Sequence, residues 1–469
     1  MESSEHVPGE HDVTLDQALA MAIQFQRRGQ LAEAGEVYGA ILAALPNEPT
    51  ALHFSGLLAH QQEQSAEALA RIRRSLELEP ERADWHSNHG VVLRAEGRIE
   101  EAASAFRQAI ALDPAHVNAH SNLGVMLRAQ GLTEEAEVEY RRAIELDPSH
   151  VDAHHNLGVL LSAAGRMRDA VRCYCKVITL SPQHGDARRL LALAHSTLGE
   201  HDKAVAIFEK WAAEEPDNPL VQHMLAACSG RDVPPRASDA FVEKVFDGFA
   251  ASFDAKLAAL YYRAPSLVET MLRDSGIEAR QQLDVLDAGC GTGLCGPLVA
   301  PWARRLVGVD LSGKMLAQAR DRQIDGRPVY DELSHGELTA FLQVHPGAFD
   351  VVVSADTLVY FGDLSEVIPA AAGALRAGGL LIFTLEEAPD DTSELFHIDS
   401  HGRYAHRQAY VEATLAQAGF ECEIVPAELR MEAGVPVKGL LVRGRKRPLA
   451  GAVEGNAAVA PFVEAVTRG

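Results

Sequence analysis

Small and apolar residues recur every 34 positions through the first half of the chain. In one such unit, the stretch from Asn122 to Gly131 predicts a helix that ends at a glycine, and Glu134 to Leu146 predicts a second helix that ends before Pro148. One helix pair cannot bury its apolar face alone, so the units are expected to stack. Two of the rows in register are Ala34, Ala68, Ala102, Ala136, Ala170 and Ala204, and Pro46, Pro80, Pro114, Pro148, Pro182 and Pro216.

Each unit resembles a tetratricopeptide repeat, and six of them cover residues 15–218. Asn88, Asn122 and Asn156 occupy one position in three successive repeats and resemble the asparagine ladder in the repeats of O-GlcNAc transferase. That resemblance implies that they hold an extended protein or peptide partner. A side-chain amide offers a donor and an acceptor together, which matches a peptide unit of any sequence. The alternative, that these amides cap or bridge neighbouring helices, stays open.

Histidines also recur in the repeats, at His86, His120 and His154. Zinc needs ligands that converge on one point, whereas these three are one repeat apart. We therefore interpret them as a surface row and predict no metal site in the chain.

The pattern changes after Pro235. Residues 238–280 predict helices, and from 283 onward short apolar runs alternate with amphipathic helices, which is typical of a parallel sheet. The predicted strands cover 283–287, 306–310, 350–354 and 380–384, and a closing hairpin pairs 421–425 with 437–442.

The first predicted strand leads into a glycine-rich turn containing Gly289, Gly291 and Gly293. Such a turn lets a ligand approach the backbone. The third glycine comes one residue earlier than in the dinucleotide fingerprint. Asp287 would repel a pyrophosphate but attract the ammonium group of an amino-acid ligand. Asp310, which ends the second strand, could accept hydrogen bonds from both hydroxyls of a ribose.

Residues 283–384 resemble a class I S-adenosylmethionine-dependent methyltransferase, which implies a Rossmann-like domain with a seven-stranded sheet. The resemblance implies that the three glycines wrap the cofactor, with Asp287 near its amino group and Asp310 on its ribose. It places Leu311 against the adenine and Glu337 on the adenine amino group, with the nearby Asp331 and Glu332 as alternatives to Glu337. With its flanking motifs, the stretch from about 15 to 446 resembles the bacterial predicted methyltransferases that carry tetratricopeptide repeats.

Three side chains are candidates for catalysis. Asp356 follows the fourth predicted strand, in a Ser-Ala-Asp-Thr sequence that differs from the Asn-Pro-Pro-Tyr motif used on planar amides and DNA amino groups. Methyl transfer needs a general base only when the acceptor arrives protonated. His401 and His406 are candidates for that base, because they are expected on a loop that follows the fifth strand and overhangs the site.

Charge and composition exclude some classes of binding partner. The 469 residues carry 43 basic and 66 acidic side chains, a formal charge of −23. Nucleic-acid affinity depends on basic residues that neutralise phosphates, so we predict no nucleic-acid partner. No apolar run approaches the length of a membrane span, the start is acidic and polar, and the six cysteines are scattered. A cytoplasmic location is therefore expected.

The predicted layout has five parts: a disordered start at 1–14, a repeat domain at 15–235, a helical lid or linker at 236–282, a methyltransferase domain at 283–447 and a weakly ordered tail at 448–469. The first hypothesis is a methyltransferase whose repeats bind a protein or peptide substrate or partner. A second is a biosynthetic methyltransferase of a small or carrier-bound metabolite, with repeats used for assembly. A third is a non-catalytic adaptor that senses the cofactor.

Overall fold

The structure, a computed structural model, describes residues 13–389, 394–432 and 435–448. It divides into two compact units, Met1–Leu198 and Gly199–Gly469. The predicted disordered start (1–14) and weakly ordered tail (448–469) lie almost entirely outside the described residues.

The first unit is all-helical over its described residues, and its helices pack in consecutive pairs. The helices are α1 (Leu15–Arg27), α2 (Leu31–Ala44), α3 (Pro49–Gln61), α4 (Ser65–Leu78), α5 (Ala83–Ala95), α6 (Ile99–Leu112), α7 (Val117–Ala129), α8 (Thr133–Leu146), α9 (Val151–Ala163), α10 (Met167–Leu180) and α11 (Gly185–Thr197).

The 34-residue period has a direct packing cause. Gly124 of α7 lies against the fully buried ring of Tyr140 in α8, and a Cβ at this glycine would come 2.7 Å from Tyr140 Cε1. Gly158 makes the same contact with Tyr174, at 2.6 Å. A larger side chain would force the two helices apart, because protein interiors are close-packed. The repeated glycine and ring thus fix the separation within a pair.

The histidine row ties each repeat to the turn before it. Each ring lies six residues after a proline, with its Nε2 on the proline's carbonyl oxygen. The pairs are His86 with Pro80 at 2.8 Å, His120 with Pro114 at 3.1 Å, and His154 with Pro148 at 3.1 Å. These histidines therefore satisfy backbone carbonyls where one helix pair passes to the next.

The second unit begins with helices and continues as an α/β domain. Its helices are α12 (His201–Glu214), α13 (Pro219–Ser229), α14 (Asp239–Phe249), α15 (Phe253–Ala259), α16 (Ala264–Arg273), α17 (Gly296–Val299), α18 (Gly313–Asp321), α19 (Leu338–Gln343), α20 (Val367–Ala374) and α21 (Gln408–Gln417), with 3₁₀ turns at Ala250–Ser252 and Leu358–Tyr360. Its strands are β1 (Leu283–Ala288), β2 (Ala303–Asp310), β3 (Gln323–Ile324), β4 (Arg327–Pro328), β5 (Glu332–His335), β6 (Phe349–Ser354), β7 (Leu375–Glu387), β8 (Phe396–Ile398), β9 (Tyr404–His406), β10 (Phe420–Glu432) and β11 (Val435–Lys446).

The main sheet has the strand order β10-β11-β7-β6-β1-β2-β5. The strands from β5 to β7 pair in parallel, whereas β11 and β10 are antiparallel. The predicted parallel sheet with a closing hairpin is confirmed. The short strand β9 pairs with β7 and with β8, and β3 pairs with β4 in a separate ribbon.

Alternate residues of the strands point to opposite faces, so the sheet has two cores. Leu286 and Val352 belong to one, and Val285 and Val351 to the other. The carboxyl ends of β1, β2, β5 and β6 meet at one edge, where ligands of open α/β sheets bind. None of the helices that the structure describes is long and apolar enough to cross a membrane.

Candidate cofactor and catalytic site

The glycine-rich turn lies at the end of β1. Gly289, Gly291 and Gly293 have φ values of +75°, +54° and +84°, a region that favours glycine. The amides of Gly289 and Cys290 donate to Val309 O of β2, at 2.9 and 3.0 Å. A Cβ at Gly291 would meet only Phe253, at 3.9 Å, so this part of the turn leaves room beside the backbone.

Asp310 faces the same turn from the end of β2. Its Oδ2 accepts a hydrogen bond from Gly291 N at 2.9 Å, and its Oδ1 accepts one from Ser312 N at 2.8 Å. Burial raises the pKa of Asp310, although these amides stabilise its charged form. Leu311 follows, and its carbonyl lies 2.8 Å from His335 Nε2 at the end of β5. The structure thus brings Asp310 and Leu311 beside the turn.

Asp287 is buried beneath the turn, with 1% of its surface exposed. Tyr330 donates its hydroxyl hydrogen to Asp287 Oδ2 at 2.6 Å. Burial and the nearby charge of Asp310 raise the pKa of Asp287, the Tyr330 hydrogen bond opposes that shift, and the net pKa is about 7. A buried carboxyl group with such a pKa is poised to gain a cationic partner.

Glu337 begins helix α19 as its N-cap. Its Oε1 accepts from Thr339 N at 2.9 Å and its Oε2 from Ala340 N at 2.8 Å. Both carboxylate oxygens therefore satisfy helix amides. Its interaction with an adenine amino group stays a prediction.

Asp356 lies at the end of β6, with φ of +54°, which is uncommon for a residue other than glycine. Its backbone amide donates to Thr384 Oγ1 at 2.9 Å, and Arg430 Nη1 donates to its Oδ2 at 2.6 Å. Burial raises the pKa of Asp356, and the charge of Arg430 opposes that shift. Next to it, Thr357 Oγ1 donates to Gly289 O at 3.2 Å, which joins Asp356 to the glycine turn.

The arginine on Asp356 is the centre of a buried ion-pair network. Arg430 has 5% of its side chain exposed and also pairs with Glu386 and Glu432. Arg403 binds Glu386 Oε1 at 2.6 Å and Glu432 Oε1 at 2.8 Å. Sequence reasoning missed these four residues: Arg430 and Glu432 lie in β10, Glu386 lies in β7 and Arg403 lies just before β9, and no motif marks them.

His401 lies in the turn between β8 and β9. Its Nε2 is 3.7 Å from both Glu386 Oε2 and Asp399 Oδ2, and its Nδ1 accepts a hydrogen bond from Arg403 N at 3.4 Å. Burial lowers the pKa of His401, and the charge of Arg403 lowers it further. The imidazole is therefore biased toward its neutral form, as a general base requires.

His406 lies inside strand β9, so its expected place on a loop is wrong. The ring is fully buried, and its Nε2 lies 3.0 Å from Gly362 O. Burial lowers its pKa to about 4. A strand of three residues is too short to be recognised from an alternation of apolar and polar residues. Catalysis by His406 stays a prediction that its burial does not favour.

One set of side chains has the spacing of a metal site. Glu386, Asp399 and His401 place one ligand atom each within 4.8 Å of one another. However, two arginines already pair with Glu386. The Arg403 amide points at His401 Nδ1, which places the ring proton of the neutral form on Nε2, where a metal would bind. These contacts favour an ion-pair network.

Helical residues 239–259 contact the glycine-rich turn and the end of β2. Asp247 Oδ1 accepts a hydrogen bond from Ser312 Oγ at 2.5 Å, just after Asp310. Asp254 accepts hydrogen bonds from Thr292 Oγ1 of the glycine turn at 2.5 Å and from Arg322 Nη2 at 2.6 Å. The ring of Phe246 packs against Tyr360, with centroids 5.4 Å apart.

The three asparagines of the repeats belong to the first unit. Asn88 Nδ2 lies 3.0 Å from His53 Nε2, and Asn122 Oδ1 accepts from Arg94 Nη1 at 2.8 Å. All three, Asn156 included, are partly exposed. Their role in binding a partner stays a prediction.

Comparison with known families agrees with this architecture. Residues 286–383 match the family described as a methyltransferase domain. Tetratricopeptide repeat families match residues 55–114, 87–151, 139–172 and 174–228.

Two curated relatives illustrate the similarity. A ubiquinone biosynthesis O-methyltransferase of Thiobacillus denitrificans is 36% identical over 101 residues, which is 21% of this chain and 43% of that protein. A probable S-adenosylmethionine-dependent methyltransferase of Mycolicibacterium smegmatis is 31% identical over 146 residues, 30% of this chain and 52% of that protein. The chain spans about half the length of the curated relatives it matches.

Among solved structures, Pseudomonas aeruginosa pilF is similar to 45% of this chain over 96% of its own length, with 17% identity and a TM-score of 0.41.

Together with the sheet order and the 34-residue repeats, the family matches establish that this chain carries tetratricopeptide repeats followed by a methyltransferase domain.

Proposed function

We propose that the chain is an S-adenosylmethionine-dependent methyltransferase whose repeats bind the protein or peptide that presents the methyl acceptor. The observation that carries the proposal is the pairing of Gly291 N with Asp310 Oδ2 across the ends of β1 and β2. It places an open, left-handed glycine turn beside a buried carboxylate at the edge where α/β sheets bind nucleosides.

The residues at this edge fit the cofactor. Gly291 leaves room for a ligand, and within the described residues the side-chain partner of the buried Asp287 is the neutral Tyr330 hydroxyl. Asp287 would attract the ammonium group, Asp310 would bind the ribose hydroxyls, and Leu311 and Glu337 would contact the adenine. When bound, the cofactor supplies a methyl group on a sulfonium for in-line displacement.

On the acceptor side, we assign proton transfer to His401. Its neutral imidazole would take the proton of a protonated acceptor at Nδ1, with the acceptor replacing the Arg403 amide there. Asp356, whose neighbour Thr357 bonds the glycine turn, would orient the substrate or the methionine end of the cofactor. Residues 239–259 would act as a lid that excludes water, because Asp247 and Asp254 hold them against the cofactor edge.

For the repeats, we assign partner binding to Asn88, Asn122 and Asn156. Their equivalent positions and partial exposure support this assignment. The amides of Asn88 and Asn122 would exchange their contacts with His53 and Arg94 for a peptide backbone.

Calorimetric titration of the full chain with S-adenosylmethionine tests the proposal. We expect saturable binding that Asp310→Ala abolishes and that Asp321→Ala, an exposed change at the end of α18, leaves intact. Equal binding by both variants would contradict the assigned ribose contact, and no binding by the intact protein would contradict the proposed cofactor.

The names of the relatives favour a second candidate, a methyltransferase of a small or carrier-bound metabolite. The two candidates are separated by supplying the full chain with methyl-labelled S-adenosylmethionine and a cell extract, then fractionating by size. Label that stays in protein after hydroxylamine cleavage of carrier thioesters supports the first candidate. Label in small molecules, or label released from protein by that cleavage, supports the second. Any transfer that requires the full chain would exclude a non-catalytic sensor.

A further inference from the structure

A histidine of helix α13 lies against the turn that carries His401. His223 is 4% exposed, and its Nε2 lies 2.8 Å from the carbonyl oxygen of Gly402. Its ring also packs on Phe241, with centroids 3.9 Å apart. Burial lowers the pKa of His223, so the ring stays neutral and donates its single N–H to Gly402.

The turn is shaped to receive this histidine. Gly402 has φ of +88°, and a Cβ there would come 3.1 Å from Met224 Sδ and 3.3 Å from His223 Cδ2. Within the turn, Gly402 N donates to Asp399 O at 2.7 Å. A larger residue than glycine would therefore meet both the backbone constraint and α13.

A second contact holds the other end of the turn. Tyr404 donates its hydroxyl hydrogen to Pro234 O at 2.8 Å, in the segment that follows α13. Ala227 of α13 packs in one apolar cluster with Tyr404 and Ile398. The segment from 398 to 404 is thus fixed by α13 and the residues just after it.

This turn continues into the charged network at the proposed catalytic site. Arg403 N donates to His401 Nδ1, and the Arg403 side chain binds Glu386. Arg430 connects Glu386 to Asp356 at the end of β6. A displacement of Gly402 would therefore move His401 relative to Glu386 and Asp356.

We infer that His223 is a positioning residue for His401, so that a helix lying before the sheet domain sets the geometry of the candidate base. The inference rests on the proposed function for the role of His401, whereas the coupling of His223 to His401 stands on the contacts described above.

The test measures the pKa of the His401 ring in the full chain by NMR, with labelled histidine and assignment through His401→Gln. The charged groups around this ring are Arg403, Glu386, Asp399 and Glu432. His223→Leu fills the space without a donor, and His223→Gln restores a donor. His154→Ala is the matched control, because it removes a histidine-to-carbonyl hydrogen bond elsewhere, to Pro148.

We expect His223→Leu to raise the pKa of His401 toward its ordinary value by about half a unit or more, because the loosened turn admits water. Amide hydrogen exchange of residues 394–407 should quicken in parallel, and His223→Gln should reverse both effects. A pKa and an exchange rate that match those of His154→Ala would overturn the inference. If His223→Leu does not fold, Gly402→Ala disturbs the same contact from the other side.

Neither measurement uses the cofactor or an acceptor. A failure to bind S-adenosylmethionine would therefore contradict the proposed function, but it would not affect the coupling of His223 to His401. An unchanged His401 in a protein that does bind S-adenosylmethionine would remove only the inference about His223.

Discussion

The Tyr330 hydroxyl lies 2.6 Å from Asp287 Oδ2, and both side chains are buried beneath the glycine-rich turn. The same ring limits the turn itself, since a Cβ at Gly293 would come 2.9 Å from Tyr330 Cε2. Tyr330 therefore limits the residue size at Gly293 in the glycine-rich turn, and its hydrogen bond lowers the pKa of Asp287.

Binding of S-adenosylmethionine should release a proton from Asp287. The carboxyl group has a pKa of about 7 in the free protein, and a nearby ammonium group favours its charged form. Affinity should therefore rise with pH up to about 7 and fall about tenfold per unit below it. Calorimetry at pH 6.5 in two buffers of different ionisation enthalpy measures the release.

Asp287→Asn should abolish the buffer dependence, and Tyr330→Phe should move the pH dependence upward, because the lost hydrogen bond stabilises the charged carboxylate. Identical heats in both buffers for the intact protein would show that Asp287 does not change its protonation on binding.

Alanine at two positions of the glycine turn should have separable effects. At Gly289, with φ of +75°, a Cβ would come 2.1 Å from Thr357 Oγ1. An alanine in left-handed backbone costs about 1–2 kcal/mol. Because of the added clash, Gly289→Ala should lower the free energy of unfolding by more than this amount. At Gly291 the space is open, so Gly291→Ala should cost only about that strain. Thermal unfolding measures both.

For cofactor binding, the change at Gly291 should matter more than its small effect on stability suggests. Gly291→Ala should weaken S-adenosylmethionine binding beyond its effect on stability, since the proposed ligand approaches there. A variant that binds as tightly as the parent would place the cofactor elsewhere on the turn.

The difference between the glycine turn and the ion-pair network explains how far sequence reasoning reaches. Gly289 to Gly293 form a local feature, because left-handed backbone is encoded by residue type at adjacent positions. The 34-residue repeats could be predicted for a related reason. Each contact that defines them, such as Gly124 on Tyr140, lies within one helix pair and recurs along the chain. Both features were predictable from the chain alone.

The network around Arg430 was not predictable. Arg430 and Asp356 are 74 positions apart, and they meet only because β10 and β11 fold back against β7. His406 was misplaced because β9 has three residues, and Glu337 gained a capping role that its motif did not reveal. Long-range register decides the contact of Arg430 with Asp356, and a single sequence does not encode that register visibly.

Removing Arg430 should destabilise the second unit strongly. Its side chain is 5% exposed, and Arg430→Met would leave Asp356 as an uncompensated buried charge, at a cost of about 3–5 kcal/mol. Arg304→Ala is the control, because Arg304 is 62% exposed beside Asp284 and its loss should cost about 1 kcal/mol or less. Urea unfolding of both variants measures the difference.

The pH dependence of this loss has a definite sign. Burial already raises the pKa of Asp356, and without Arg430 it should rise further. A raised folded-state pKa means stability that is lost as pH rises, so Arg430→Met should be most harmful near neutral pH and less so toward pH 4. A loss independent of pH would mean that packing, rather than charge, dominates.

Residues 239–259 should control how fast the cofactor leaves. Asp254→Ala removes the contacts with Thr292 and Arg322, so the dissociation rate of S-adenosylmethionine should rise by about fivefold, which corresponds to the loss of an ion pair worth about 1 kcal/mol. Glu243→Ala, an exposed change on α14, should leave the rate unaltered. Surface plasmon resonance with the immobilised full chain compares them, and equal rates would remove the lid role.

The repeats should lose their partner when three amides are removed together. Asn88, Asn122 and Asn156 are partly exposed, so their joint change to alanine should keep the helical fold and weaken capture of the labelled protein acceptor at least tenfold, about 1.4 kcal/mol. A matched triple variant changes Glu100, Glu134 and Arg168 to alanine, which share another exposed position on α6, α8 and α10. Both variants are compared by circular dichroism and by pull-down of that acceptor. If both variants retain the partner, these amides only join neighbouring helices, as the contacts of Asn88 with His53 and Asn122 with Arg94 would then explain.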